Sequence, residues 1–278
     1  MSSDGFYPSQ RRAYMHLLKR TLTRYPILPQ DWPLLSELNG VDPSLLTEIQ
    51  NWITTSPSAA APPYSVAARA VGMDWPEDGD TMVGLVRLTN LEYCALSALE
   101  RNVPGDLVEA GVWRGGAVIF MRAVLRAYGD QDRLVWAADS FQGLPKPDSD
   151  AYPQDKGDAL WSYAQLAVSV HQVRDNFRRY GLLDDRVRFL EGWFRDTLPD
   201  GPIERISVLR LDGDMYESTM LALDSLYKKV SPGGYVIIDD FGSVPACRRA
   251  VEDFRVRQGI YEPVIPVDWT AVYWQVMP

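Results

Sequence analysis

The sequence predicts an α/β fold with a mostly parallel β-sheet, an antiparallel strand at one end and helices on its faces. Short apolar stretches of strand length alternate with stretches of helical periodicity, which is the pattern of strand–helix–strand units. The clearest unit covers residues 206–238. Strands at 206–211 and 235–238 flank a helix, and Ser231-Pro232-Gly233-Gly234 supplies the turn before the second strand. Such a crossover is right-handed and leaves the two strands parallel.

The other elements continue this alternation along the chain. We predict strands at 106–110, 134–138 and 187–190, and helices at 9–24, 81–102, 117–128, 161–180 and 247–258. Residues 262–265 and 271–276 are predicted to form the antiparallel end of the sheet. Residues 1–80 hold few strand patterns, a short helix at 43–53 and a proline-rich linker at 54–63. We therefore predict a helical cap, lid or oligomer arm over 1–80 and one α/β domain over 81–278.

Composition narrows the class of ligand and the compartment. The formal net charge of −9 over 278 residues repels nucleic acid and anionic membrane surfaces, and it favours a neutral or cationic small molecule. No apolar run approaches the roughly 18 residues of a membrane-spanning helix. Cys94 and Cys247 lack metal-type spacing and suggest a reducing compartment. We expect a cytoplasmic protein with no nucleic-acid or membrane partner.

A glycine-rich turn after the first predicted strand indicates a cofactor-binding crevice. Residues 111–116, Gly-Val-Trp-Arg-Gly-Gly, open a helix there, and glycines let the backbone approach a ligand closely. An ordinary strand-to-helix turn is the alternative, because the pattern is not GxGxxG. Asp139 follows the second strand, where such folds bind ribose hydroxyls, although aspartate also caps helices. Trp193, after the third strand, can flank an adenine or pack in the core.

Four aspartates follow the two strands of the 206–238 unit. Asp212 and Asp214 leave the first strand, and Asp239 and Asp240 leave the same end of the second. Carboxylates this close raise one another's pKa values and repel unless a cation lies among them. Oxygen ligands without His or Cys favour magnesium, or calcium or manganese, over zinc. The alternative is that they cap helices or lie in solvated turns, and Asp214 in particular would cap the helix beginning near Tyr216.

Two loops have the length and composition of mobile covers. Residues 141–160 are rich in proline and aspartate, and residues 54–64 in small residues and proline. Long loops of this kind are usually functional or disordered. We expect both loops to be mobile without ligands and ordered when cofactor and acceptor are bound, because closing a site excludes water.

Several motifs together resemble one family, the class I, S-adenosylmethionine- and magnesium-dependent sugar O-methyltransferases of antibiotic tailoring, typified by the macrocin, mycinamicin and novobiocin enzymes. The matching segments cover nearly the whole chain: TMVG at 81–84, VEAGVWRGG at 108–116, ADSFQGLPKPD at 138–148, NFRRYGLLDDRVRFLEGWF at 176–194, LDGDMYES at 211–218 and YVIIDD at 235–240. The resemblance implies a Rossmann-like class I methyltransferase sheet, a small-molecule glycoside as acceptor, and a homodimer or higher homo-oligomer.

Matching positions imply the roles of individual residues. The cofactor-binding positions are Tyr64, Met82, Glu109, Gly111, Gly115, Asp139, Ser140, Gly192 and Trp193. Among these, Glu109 and the glycine turn would hold the methionine part, Asp139 the ribose, and Gly192 with Trp193 the adenine side. The implied magnesium ligands are Asp212, Asp239 and Asp240. Asp214 is the implied general base, in preference to His171 on a preceding helix.

Three other functions stay open. A catechol-type O-methyltransferase would use the same metal chemistry on a more acidic phenolic diol. Metal-dependent glycosyl transfer through a DxD pair would account for Asp212 and Asp214, but not for Glu109 or Asp139. A cofactor-binding protein without turnover would keep the fold, although acidic residues at all four positions argue against it.

Overall fold

The computed structural model describes residues 6–25 and 66–277, and its centre is a seven-stranded sheet. The strands are β1 (Asp106–Ala110), β2 (Val135–Asp139), β3 (Val187–Glu191), β4 (Ile206–Leu211), β5 (Val230–Ile238), β6 (Ile265–Pro266) and β7 (Val272–Gln275). Their order across the sheet is β3-β2-β1-β4-β5-β7-β6. β1 to β5 pair in parallel, and β7 runs antiparallel to β5 and β6. The predicted mostly parallel sheet with an antiparallel end is confirmed.

Helices cover both faces of the sheet, and each face has its own apolar core. The helices are α1 (Pro8–Thr23), α2 (Val66–Ala70), α3 (Leu85–Glu100), α4 (Gly116–Ala127), α5 (Val170–Arg179), α6 (Phe194–Thr197), α7 (Tyr216–Leu226) and α8 (Pro245–Gln258). α1, α3, α4 and α5 pack on one face, around side chains such as Phe120 and Phe177. α7 and α8 pack on the other, with Trp274 and Phe254. β4 is buried along its whole length because it is covered from both sides.

Helix α1 confirms the helix predicted at 9–24 and belongs to the core of the α/β domain. Its Leu17 and Leu22 are fully buried, in the same apolar cluster as residues of α3 and α4. The predicted helix at 43–53, the linker at 54–63 and Tyr64 lie outside the described residues. The division at residue 80 therefore stays a prediction. In the parts of the chain that the structure describes, no helix is long and apolar enough to cross a membrane.

Three predicted elements are wrong in extent. The strand predicted at 262–265 is the two-residue β6, Ile265–Pro266. The helix predicted at 161–180 begins only at Val170, where Ser169 caps it by accepting a hydrogen bond from the Gln172 N–H at 3.3 Å. Short 3-10 turns at Leu160–Ser162 and Ala164–Leu166 precede it. The predicted turn at 231–234 instead belongs to β5, which already pairs with β4 at Val230. A shift of register in that pair absorbs the glycines.

The carboxyl ends of β1 and β4 approach each other closely, and this approach depends on Gly111. Its φ is +88°, in the left-handed region, and a Cβ atom there would lie 1.8 Å from the carbonyl oxygen of Asp212. The Gly111 N–H donates to the Ala138 oxygen, and the Asp212 N–H donates to the Ala110 oxygen, both at 2.9 Å. The hydrogen-bonded ladder of three strands thus continues to the residues where the predicted site begins.

Gly111→Ala should destabilise the protein much more than Gly129→Ala. Gly129 also has a left-handed φ, +75°, but no described atom beyond its chain neighbours lies within 4 Å of a Cβ there. The free energy of unfolding of the Gly129 variant should fall only by the cost of placing alanine in the left-handed region, about 1–2 kcal/mol. The Gly111 variant must also displace the backbone after β4, so its free energy of unfolding should fall further. Urea unfolding measures both free energies, and equal losses would show that close approach is not the constraint.

Candidate active site

Three carboxylates meet at the carboxyl edge of the sheet. Asp212 and Asp214 follow β4, Asp240 follows β5, and one oxygen of each lies within 4.8 Å of the others. All three side chains are partly exposed. Across residues 6–25 and 66–277, this is the one group of three or more acidic, His or Cys side chains close enough to share a metal ion. We call it the acidic cluster.

Burial and mutual repulsion raise the pKa values in the acidic cluster. Burial, followed by the charges of Asp212 and Asp239, raises the pKa of Asp214 to about 8. Burial and the charges of Asp214 and Asp212 raise the pKa of Asp240 well above its usual range. The Oδ2 atom of Asp240 is buried, and no described donor binds it. A hard divalent cation fits these oxygen atoms, because it would neutralise charge that the described side chains leave uncompensated.

Two arginines hold Asp239 from opposite sides. Arg210, a buried residue of β4, forms ion pairs with Asp239 and with Glu109 of β1. Arg87, from α3, pairs with the other oxygen of Asp239. Burial alone would raise the pKa of Asp239, but the two guanidinium groups lower it below its ordinary value. Asp239 thus lies outside the acidic cluster. The predicted metal ligands were Asp212, Asp239 and Asp240, whereas the acidic cluster has Asp214 in the place of Asp239.

Glu109 presents a free acceptor at the wall of a cavity. The residue is 1% exposed, and burial raises its pKa to about 8 although Arg210 acts in the opposite direction. Its Oε2 atom is buried, and none of the described donors binds it. A buried acceptor without a partner calls for a ligand that donates. The amino group of the methionine part of the predicted cofactor has that chemistry.

Asp139 ties the glycine turn to the loop after β2. Its Oδ2 atom accepts the Val112 N–H at 2.7 Å, and its Oδ1 atom accepts the Phe141 N–H at 2.7 Å. Ser140 Oγ donates to the Gly143 oxygen at 2.7 Å and fixes the same loop. Burial raises the pKa of Asp139, while these backbone hydrogen bonds act to lower it. A carboxylate can accept about four hydrogen bonds, so acceptor capacity remains for a ligand.

Two adjoining cavities meet at the acidic cluster. The first, about 800 Å³ in volume, is lined by five of the predicted cofactor residues: Met82, Gly111, Asp139, Ser140 and Trp193. The second, about 960 Å³, is lined by Glu109 and all four aspartates, Asp212, Asp214, Asp239 and Asp240. Asp212 and Asp214 belong to both linings. A ligand that fills the first cavity therefore ends beside the carboxylates of the second.

The other predicted cofactor residues act through the backbone or fall outside the structure. Gly115 has a φ of +88° and begins α4 as its N-cap. Gly192 has a φ of +143° and donates its N–H to the Asp139 oxygen at 2.9 Å. Neither lines the two cavities. Tyr64 lies outside the described residues. His171 is exposed on α5 and lines neither cavity.

Asp214 does not cap helix α7, so the capping alternative considered for it is wrong. The N–H groups of Tyr216 and Glu217 donate to the carboxylate of Asp155, at 2.6 Å and 3.0 Å. Asp155 lies in the loop after β2, far from Tyr216 in the sequence, and no spacing pattern predicts this contact. The Asp214 side chain is therefore left for the cavity.

Comparison with known proteins gives three concordant matches. The model of the family described as macrocin O-methyltransferase (TylF) matches residues 11–276. The 8-demethyl-8-(2,3-dimethoxy-alpha-L-rhamnosyl)-tetracenomycin-C 4'-O-methyltransferase of Streptomyces olivaceus is 49% identical over 266 residues, which are 95% of this chain and 93% of that protein. The demethyldecarbamoylnovobiocin O-methyltransferase of Streptomyces niveus is 52% identical over 213 residues, 76% of this chain and 81% of that protein.

A solved structure has the same architecture. The O-methyltransferase NovP superposes with a TM-score of 0.81 at 43% identity, covering 96% of this chain and 100% of that one. The superposition therefore covers nearly the whole length of both chains.

Arg210→Met should destabilise the fold strongly, because it removes the cation shared by Glu109 and Asp239 and lying 3.0 Å from Asp212. Breaking a buried ion pair by removing one partner costs about 3–5 kcal/mol. Arg249→Met removes an exposed pair with Asp253 on α8, so it should cost only about 0–1 kcal/mol. Denaturant unfolding of the two variants at pH 8 measures the difference.

Lower pH should restore part of the stability of the Arg210→Met variant. In the native protein Arg210 and Arg87 hold the pKa of Asp239 below its ordinary value, so loss of the Arg210 guanidinium raises that pKa. As the pH falls, the folded variant takes up a proton at Asp239 that the folded native protein does not, and this stabilises the variant relative to the native protein. The deficit relative to the native protein should shrink as the pH falls from 8 to about 5. A deficit that stays constant over this interval would contradict the role given to Arg210.

Proposed function

Because the chain belongs to the macrocin O-methyltransferase family, we propose that it transfers the methyl group of S-adenosylmethionine to a sugar hydroxyl of a glycosylated natural product. The observation that carries this proposal is the sharing of Asp212 and Asp214 between two cavities. A donor in the first cavity and an acceptor in the second would meet beside the same carboxylates.

The first cavity, together with the adjoining part of the second that Glu109 lines, suits S-adenosylmethionine. Glu109, with its free oxygen, would bind the amino group of the methionine part next to the glycine turn. Asp139 and Ser140 would bind the ribose, Trp193 would lie against the adenine, and Met82 would be a further apolar contact in the same cavity. Gly115 and Gly192 would support this site through their backbone conformations. Tyr64 is proposed as a further contact on the strength of the family resemblance alone.

The acidic cluster suits a magnesium ion. Asp212 and Asp240 would hold it, with Asp239 as third ligand through lone pairs that Arg87 and Arg210 leave free. A bound divalent cation would act as a Lewis acid that makes a sugar hydroxyl more acidic and fixes its direction. The two arginines would keep Asp239 ionised, as its lowered pKa requires.

Asp214 would act as the general base. A sugar hydroxyl is a weak acid, and a carboxylate with an ordinary pKa of about 3.9 is a weak base for it. Burial, the largest cause of the raised pKa of Asp214, narrows this mismatch, whereas a bound metal ion would offset the part that neighbouring carboxylates contribute. Asp214 would accept the proton of the sugar hydroxyl while its oxygen takes the methyl group. S-adenosylmethionine, when bound, would supply that group through loss of its carbon–sulfur bond and be left as S-adenosylhomocysteine. Residues that hold the hydroxyl oxygen in line with the methyl carbon and the sulfur would lower the entropic part of the barrier.

The second cavity suits a neutral acceptor. Its carboxylates would repel a phosphorylated one, and its two arginines, Arg87 and Arg210, are already paired with acids. Trp75 and Trp269 line the same cavity, and each is about half exposed. Aromatic faces of this kind bind the apolar faces of sugars and aglycones.

A panel assay tests the function. The purified protein would be incubated with S-adenosylmethionine, magnesium and one acceptor at a time: a rhamnosylated tetracenomycin, demethyldecarbamoylnovobiocin, mycinamicin III or a simple catechol. We expect mass spectrometry to show gain of one methyl group on a glycoside. Methylation of the catechol alone would favour the phenolic alternative, and binding of S-adenosylhomocysteine without turnover on any acceptor would contradict the proposal.

Asp214→Asn should remove turnover without removing binding. Asparagine has nearly the same size and tolerates the left-handed backbone of Asp214, whose φ is +53°, but it does not accept a proton at neutral pH. We expect turnover to fall by a factor on the order of 100 or more, the range of general base catalysis. Calorimetry should show unchanged affinity for S-adenosylhomocysteine. Asp224→Asn, at an exposed position on α7, is the control, and equal turnover in the two variants would move the role away from Asp214.

Asp240→Asn should weaken metal binding directly. Protein treated with a chelator would be titrated with Mn²⁺ in a calorimeter, so the readout does not depend on activity. We expect the affinity to fall by about 10-fold or more, since removing even an indirect partner of a metal costs that much. Asp239→Asn in the same titration tests the third ligand. Native Mn²⁺ affinity in both variants would rule out a metal at the acidic cluster.

A further inference from the structure

Helix α7 receives its N-terminal cap from a distant loop. Its own N-cap residue, Met215, makes no side-chain hydrogen bond. The carboxylate of Asp155 instead accepts the N–H groups of Tyr216 and Glu217, at 2.6 Å and 3.0 Å, and Asp155 is only 2% exposed. A carboxylate in this position also lies at the positive end of the helix dipole. The ring of Tyr152, in the same loop, packs against Tyr216 at 6.1 Å between centroids.

The backbone just before this helix needs support. Asp214 has a φ of +53°, and the Met215 N–H donates to the Gly213 oxygen at 2.5 Å, which closes a three-residue turn around Asp214. Tight turns of this kind with a positive central φ are rare and strained. A strained conformation persists only where its surroundings hold it in place. The first turn of α7 begins directly after this strained turn, and Asp155 fixes that first helical turn through its two hydrogen bonds.

The loop that carries Asp155 also covers the cofactor cavity. Leu144, Pro145 and Leu166 of residues 140–169 line that cavity. Near the end of the loop, the Trp113 Nε1–H of the glycine turn donates to the Gln165 oxygen at 2.9 Å. One segment therefore touches the glycine turn, the wall of the first cavity and the start of α7.

We propose that Asp155 is a positioning residue that couples closure of this loop to the placement of Asp214. When the loop is closed, its carboxylate holds the first turn of α7 and with it the strained turn at Asp214. When the loop opens, those two N–H groups lose their acceptor and the Asp214 turn loses its support. The proposal rests on the proposed function in one respect, the use of Asp214 as the base.

Three variants test the coupling. Asp155→Ala removes both acceptors, Asp155→Asn keeps one oxygen for the helix, and Asp150→Ala removes an exposed carboxylate from the same loop as the control. Hydrogen exchange of the Tyr216 and Glu217 amides measures the cap without any substrate. Calorimetry with S-adenosylhomocysteine measures binding, and kcat and KM are measured on the panel glycoside with the highest turnover.

The expected pattern separates positioning from general destabilisation. Asp155→Ala should lose protection of the two amides and lose about 10- to 100-fold in kcat, the scale of a small misplacement of a reacting group. KM and affinity for S-adenosylhomocysteine should change little, Asp155→Asn should recover most of kcat, and Asp150→Ala should match the native protein. Native kcat in Asp155→Ala with exposed amides would overturn the coupling, as would native amide protection. If Asp155→Ala unfolds, Asp155→Ser takes its place, because its shorter side chain does not reach both amides, and native amide protection or native kcat in that variant would overturn the coupling.

The two proposals fail in distinguishable ways. If the native protein methylates none of the panel acceptors, the proposed function fails while the exchange experiment still reports on the cap. If Asp214→Asn abolishes turnover and Asp155→Ala leaves it unchanged, the base assignment stands and the coupling is wrong.

Discussion

The charge of Arg210 is the interaction on which the rest of the site depends. Its guanidinium is buried in β4 and pairs with Glu109 on one neighbouring strand and Asp239 on the other. Without a cation at that place, the sheet would bring several carboxylates together in a region of low dielectric, where their repulsion is costly. Arg87 adds a second positive charge to Asp239 from the helical layer. The fold can therefore keep an acidic edge stable before any ligand arrives.

Arg210 and Arg87 do not compensate every carboxylate of the proposed site. Asp214 keeps a raised pKa, Asp240 has an unpartnered oxygen, and so does Glu109. All three residues line the adjoining cavities. In the proposed function Asp214 takes a proton, Asp240 binds the metal ion, and Glu109 binds the amino group of the methyl donor. Close packing at Gly111 holds the ends of β1 and β4 together beside these cavities, and the cap from Asp155 holds the start of α7 there.

Local patterns in the sequence were sufficient for most of the fold. Strands such as 206–211 are short and apolar, and turns with glycine separate them from amphipathic helices, so element type and order could be predicted. The helix predicted at 161–180 failed because apolar and aromatic residues at helical spacing also occur in the 3-10 turns before Ser169. The strand β5 began early because a register shift accommodates glycines that a sequence pattern presents as a turn.

The candidate site could be predicted only in part for a related reason. The acidic residues are adjacent in sequence and follow strands, so their convergence is a matter of topology. Their partners are not local: Arg87 reaches Asp239 from α3, and Asp155 reaches α7 from the loop after β2. In the sequence, one feature indicates such partners: Arg210 is a lone charged residue inside the apolar strand 206–211. A charge there requires a buried counter-charge, which Glu109 and Asp239 supply.

A crystal structure with S-adenosylhomocysteine, Mn²⁺ and a methylated panel glycoside would test most directly whether donor, metal and acceptor meet at the acidic cluster. Anomalous scattering would locate the metal. We expect the thioether sulfur in the first cavity, the metal bound by Asp212 and Asp240, and the sugar oxygen that receives the methyl group within hydrogen-bond distance of Asp214. A metal outside the acidic cluster, or a sugar bound away from Asp214, would contradict the proposed function.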